Sequence, residues 1–235
     1  MKKHILLSLC LSLLIAGNLF AQFDVGLNFM VISPESGFKE NVDRLGYGLA
    51  GKFAVKLGDS PFHGGLTLGV ATYGSSSYED YLITPLVPVE VKTSNNLLFS
   101  ELLLQARTSM GAIQPYVEGM FGFNYLWTET KIEQLEKYDK EIASHTNLDD
   151  FAWSYGAGFG MMIKLVEGFG VDESENPKTG RLMLDLKVRY MFGGEAEYLK
   201  EGSINIDQNN KVIYDVSKSD TDFISFHLGV VFQIY

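Results

Sequence analysis

The segment Arg181 to Phe192, RLMLDLKVRYMF, divides into two interleaved halves of opposite character. Leu182, Leu184, Leu186, Val188, Tyr190 and Phe192 fall on one side of an extended chain, and Arg181, Met183, Asp185, Lys187, Arg189 and Met191 on the other, because side chains alternate faces along a strand. One such strand would suit a soluble sheet equally well. About seven further segments repeat the split, and together they predict an all-β fold: an eight-stranded antiparallel up-and-down transmembrane β-barrel with lipid outside and a polar interior.

Taken in order, the first strand is predicted over Phe23 to Ile32, with Phe23, Val25, Leu27, Phe29 and Val31 opposite Asp24, Gly26, Asn28 and Met30. The second covers Tyr47 to Leu57, where Tyr47, Leu49, Phe53, Val55 and Leu57 oppose Lys52 and Lys56, and Gly58-Asp59-Ser60-Pro61 forms a turn. The third runs from Phe62 to about Tyr73 with His63, Thr67 and Tyr73 inward, and Ser75 to Asn96 reads as a long loop. The fourth, Leu97 to Met110, sets Glu101, Gln105 and Arg107 inward; the fifth, Tyr116 to about Thr128, does the same for Glu118, Gly122 and Asn124. An acidic loop follows, in which KIEQLEKYDKEI predicts a short helix from its Glu133/Lys137 and Glu136/Lys140 spacing. The sixth strand is Phe151 to Leu165, with Ser154, Gly156, Gly158, Gly160 and Lys164 inward, and the seventh is Arg181 to Phe192. INIDQNNKVIY reads as a hairpin around Asn209 and Asn210, and Phe223 to Tyr235 closes the set.

The ends of the chain change the picture from a barrel to an exported barrel. Lys2 and Lys3 precede an apolar core from Ile5 to Ile15, so residues 1–21 read as a signal peptide cleaved after Ala21, and residues 22–235 as one barrel domain. The single cysteine, Cys10, lies in the leader, which excludes disulfides and cysteine chemistry from the mature chain. Losing Lys2 and Lys3 lowers the 19 basic residues to 17 against 29 acidic ones, a net charge of −12, so nucleic acid is not an expected partner. No later run approaches the roughly 18 apolar residues of a membrane helix. Connections one, three, five and seven are long, two and four are short, and six is intermediate. That rhythm fits short periplasmic turns, long outer loops and a periplasmic N-terminus in the cell outer membrane of a diderm bacterium. Phe29, Tyr47, Tyr125, Trp127, Phe151, Trp153, Tyr190 and Phe192 then lie near the outer leaflet as an aromatic girdle.

On the leader, the eight alternating segments, the loop rhythm and the closing HLGVVFQIY, the chain resembles the small eight-stranded outer-membrane barrels of the OmpA and OmpX type over its mature length. Tyr235 falls one residue out of phase with the apolar face of Ile224, Phe226, Leu228, Val230, Phe232 and Ile234. The resemblance implies outer-membrane lipid, lipopolysaccharide and the barrel-assembly machinery as partners, a monomer, and a possible extracellular partner at the loops.

An eight-stranded interior has room for side chains and little else. Asp24, Glu101, Glu118 and Asp185 face Lys52, Lys56, Arg107, Lys164, Lys187 and Arg189 there, a charge network expected to plug the lumen. A turn centred between Ala112 and Ile113 predicts an Arg107 to Glu118 pair. Enzymes that modify lipid A also use small barrels, and Ser225 and His227 share the inward face near Asp222; two polar residues at i and i+2 are, however, what any lumen-facing strand supplies, and no nucleophile turn or oxyanion motif accompanies them. His63 reads as a turn residue and His145 as a loop residue. Asp149, Asp150, Asp172, Glu173 and Glu175 lack the spacing and glycine of a calcium loop. The expectation is therefore no catalytic residue, no metal and no cofactor. The expected role is structural or surface interaction through the loops, ahead of a narrow channel, a lipid-modifying enzyme and a secreted ligand-binding barrel in that order.

Overall fold

The computed structural model describes residues 22–81, 88–108, 111–134, 140–169, 180–200, 203–206 and 212–234. The leader, Asp172, Glu173 and Glu175, the tip of the last hairpin and Tyr235 lie outside them.

Eight strands close into a ring: β1 (Phe23–Pro34), β2 (Gly46–Lys56), β3 (Phe62–Tyr81), β4 (Pro88–Arg107), β5 (Ile113–Gln134), β6 (Lys140–Phe169), β7 (Gly180–Gly193) and β12 (Phe223–Ile234), each antiparallel to the next. Closure joins β1 to β12 from Phe23↔Ile234 to Pro34↔Phe223, which leaves neither strand an open edge along this seam. The remaining strands are short and lie between β7 and β12: β8 (Glu195–Tyr198) pairs with β11 (Ser217–Asp220), and β9 (Ile204–Ile206) with β10 (Val212–Tyr214). The last pair carries the two arms of the predicted hairpin. One helical turn, α1 (Ser36–Asn41), follows β1. Among the described residues no helix is long and apolar enough to cross a membrane.

The alternation read from the sequence becomes a wall with two faces. Leu102, Val117 and Phe159 are 60–65% exposed on the outside, while Asp24, Gln105, Asp185 and Arg189 on the inside are at most 1% exposed. A ring of apolar side chains on this scale is a surface for lipid rather than for water.

Three features differ from the sequence reading. Most of the segment from Ser75 to Asn96 is strand instead of loop: β3 and β4 remain paired from Gly74↔Asn95 to Tyr81↔Pro88, and residues 82–87 lie outside the described residues. The predicted helix is also absent from its described part, because Lys131 to Gln134 continue β5 and pair with Lys140 to Ser144 of β6. Four adjacent strands thus run on past the barrel as a projecting sheet, and the eight paired residues from Gly74 to Tyr81 carry it roughly 25 Å further. The physical reason is solvation. A strand wet on both faces shows no period-two contrast, and the described ends of the predicted helix are held by cross-strand backbone pairing. The third difference is register. The turn between β4 and β5 is centred between Gly111 and Ala112, giving Gln105↔Glu118 and Arg107↔Tyr116. Gly111 supplies φ +102 in this turn, a conformation that other residues rarely adopt.

Candidate functional site: the lumen and the loop end

The barrel has a turn end, at Gly58 to Pro61 and Gly111, and a loop end, where the projecting sheet, α1 and β8 to β11 gather. Four acids and four bases are buried in the turn-end half of the lumen: Asp24, Glu101, Glu118 and Asp185 with Lys52, Arg107, Lys187 and Arg189. They form three groups. Arg107 bonds both carboxylate oxygens of Asp24 and donates from Nη2 to His63 Nε2 at 2.7 Å. Asp185 accepts from Tyr116 Oη at 2.5 Å and Lys187 Nζ at 3.1 Å, with Lys52 Nζ at 3.8 Å and 5.6 Å from the Tyr116 ring centre. Arg189 donates from Nε to Glu118 at 2.6 Å, reaches Glu101 at 3.5 Å and Thr67 at 3.4 Å, and Gln105 donates to Glu118 at 3.3 Å.

The expected Arg107 to Glu118 pair is therefore replaced by Arg107 to Asp24 and Arg189 to Glu118. Moving the β4–β5 turn by one residue sets Tyr116 opposite Arg107, and an arginine in so narrow a lumen reaches across it instead of along its own hairpin. Two members of the predicted network stand apart: Lys56 is half-buried at the turn-end rim, and Lys164, also half-buried there, bonds Glu167 at 2.6 Å. Hydrogen bonds from Lys164 and Arg181 hold the exposed Glu167 carboxyl below the usual carboxylate range. His63 is not a solvated turn residue, because the lumen buries it against Arg107.

The loop-end half of the lumen holds an uncharged, largely apolar cluster, which the charge pattern does not reveal. Met30, Ile32, Leu97, Phe99, Leu126, Met191 and Phe223 are buried there in one cluster with Phe38. Phe38 comes from α1, is completely buried, and meets the rings of Tyr73 and Tyr198 edge-on at 5.3 and 5.1 Å. The sequence offered only a weak sign of it, a lone aromatic in a polar connection. Burial pushes the Tyr198 phenol above its ordinary value.

His227 Nε2 lies 2.9 Å from Ser225 Oγ, both buried, but Asp222 accepts from the Gly193 amide and the other ring nitrogen of His227 has no partner. The dyad thus lacks the carboxylate that would orient its base. Asp149 accepts from Tyr125 Oη at 3.1 Å, and Asp150 from the Glu197 amide at 2.8 Å. Among the described residues no three acidic, histidine or cysteine side chains gather as for a metal. The eight aromatic residues of the predicted girdle all lie on the outer face toward the loop end, several in stacked pairs such as Phe29 with Tyr47 and Tyr125 with Trp127.

No family model matches the chain, and no curated protein matches its sequence. Its architecture is similar to that of small outer-membrane barrels of solved structure. Neisserial surface protein A aligns with 11% identity over 91% of this chain and 95% of that one, TM-score 0.36. Ail, the attachment invasion locus protein of Yersinia pestis, solved with the heparin analogue sucrose octasulfate, aligns with 10% identity over 90% and 96%, TM-score 0.35. A major outer membrane protein from Thermus thermophilus aligns with 13% identity over 90% and 99%, TM-score 0.45. The likeness is one of fold.

Proposed function

We propose that this protein is an integral outer-membrane β-barrel with a filled lumen, acting through its loop-end surface, chiefly the projecting sheet of β3 to β6. The observation that carries the reading is the contrast between the two parts of the wall. Eight strands present an apolar outer belt, and four of them continue beyond it with polar side chains that bond to one another, as in Thr93 to Thr130 at 3.0 Å and Asn147 to Thr130 at 2.7 Å. A bilayer needs roughly 9–11 residues per strand, and β5 has 22; the surplus is a surface for recognition outside the membrane. Outer-membrane lipid and lipopolysaccharide would surround the belt, the assembly machinery would insert it, and no enzymatic step is assigned to it. A narrow channel is the second reading, favoured by the unpartnered buried amides of Asn28 and Asn124 in the lumen.

The test is topological. In intact diderm cells, Thr146→Cys on the projecting sheet should react with a membrane-impermeant maleimide, while Asp59→Cys in the β2–β3 turn should react only after lysis. Labelling of Asp59→Cys in intact cells, or protection of Thr146→Cys, would overturn the orientation and with it the surface role.

A further inference from the structure

A cleft of about 500 Å³ opens at the loop end, between the chain leaving α1 and the base of the projecting sheet, lined among others by Glu40, Asp43, Arg44, Tyr73, Asn95 and Lys200. Its volume is that of small-ligand sites, about 300–1,000 Å³. Tyr73 is the unpaired extra residue of a β-bulge, since pairing passes from Thr72↔Asn96 to Gly74↔Asn95; bulges of this kind re-aim side chains beside functional sites. Tyr73 is 3% exposed, and its hydroxyl has no hydrogen-bond partner. Beside it Asn95, also 3% exposed, accepts from Thr128 through Oδ1. A methyl built on Gly74 would stand 2.9 Å from Asn95 Nδ2, so any larger residue would press on that amide.

We propose that this cleft is a binding site for a short neutral saccharide. The lining narrows the choice by chemistry. Two carboxylates oppose a polyanion, two cations oppose an amine, and an apolar ligand would leave the Tyr73 hydroxyl buried without a partner. A sugar hydroxyl both donates and accepts, as a mixed lining of carboxylate, amide, phenol and cation requires. The site deepens the surface role proposed above and relies on it only for which side of the membrane the cleft faces. The ligand's source is either the core sugars of lipopolysaccharide in the same leaflet or a free glycan.

The mature protein in phosphatidylcholine nanodiscs, free of lipopolysaccharide, is titrated calorimetrically with lactose, N,N′-diacetylchitobiose, an uncharged core oligosaccharide cut from the outer, hexose part of lipopolysaccharide, and dextran sulfate. Binding of at least one of the first three is expected. Tyr73→Phe, which removes only an unpartnered hydroxyl and keeps the fold, should weaken it roughly five- to tenfold, the worth of one buried hydrogen bond. Gly74→Ala, which presses on the Asn95 amide, should weaken it further. Binding of the core oligosaccharide alone identifies the leaflet as the source, whereas binding of the free disaccharides identifies an external glycan. The proposal is overturned if no neutral saccharide binds, if dextran sulfate alone binds, or if both variants bind like the wild type. Because nanodiscs expose both ends of the barrel, these failures are independent of the labelling result.

Discussion

Arg107 and Arg189 divide three of the four lumen acids between them, Asp24 to the first and Glu101 and Glu118 to the second, and that division is open to direct test at single residues. Removing one partner of a buried ion pair typically costs about 3–5 kcal/mol, because the other charge is left unpaired. Glu118→Ala and Arg189→Ala should each lower stability by about that amount, and the double variant by far less than their sum. Glu118→Ala with Arg107→Ala should be close to additive, since Arg107 rests on Asp24. Thermal melting in detergent micelles checks both cycles; strong coupling of Glu118 to Arg107 would refute the arrangement. The inward position of every one of these residues is legible in the alternation of the sequence. Their partners are not. Register errors of one turn residue change every pairing along a hairpin, and residues 83 apart, such as Asp24 and Arg107, are brought together only by closure of the ring.

At the scale of elements, the projecting sheet and α1 make opposite contributions. The sheet beyond Gly74 and Thr128 is polar and buries little, so its loss should leave the barrel intact. Replacing residues 76–93 and 130–145 by short glycine-containing turns should leave the melting temperature of the barrel essentially unchanged, as expected of a part that opens independently of the core. A collapse in stability would show that the sheet supports the wall. α1 spans only six residues, yet it inserts Phe38 into the apolar half of the lumen. Phe38→Ala should destabilise by about 3–5 kcal/mol, the usual cost of emptying a buried phenylalanine site, measured in the same melts; a loss well under about 1 kcal/mol would mean the mouth collapses onto the space.

For the whole molecule, the proposed filled lumen would be closed by two layers in series: ion pairs toward the turn end and an apolar cluster under Phe38 toward the loop end. Opening one leaves the other. Wild type and Glu118→Ala should therefore both be silent in planar bilayers, and openings should appear when Glu118→Ala is combined with Phe38→Ala. Steady conductance of the wild type, or of Glu118→Ala alone, would show that the apolar layer does not close the path and would move the case to transport.

The sequence by itself determined the barrel, its strand count, which face of each strand meets lipid, and the charged content of the interior, because period-two alternation with one apolar face records the local contrast between lipid and lumen. Tertiary structure alone decided the rest. It set the register, hence which arginine serves which acid. It extended β3 to β6 as a sheet wetted on both faces, which leaves no alternation to read. It placed Phe38 over the lumen and brought Tyr73, Asn95 and Lys200 to one cleft, because those neighbours come from separate loops and strands and share a site only once the ring has closed.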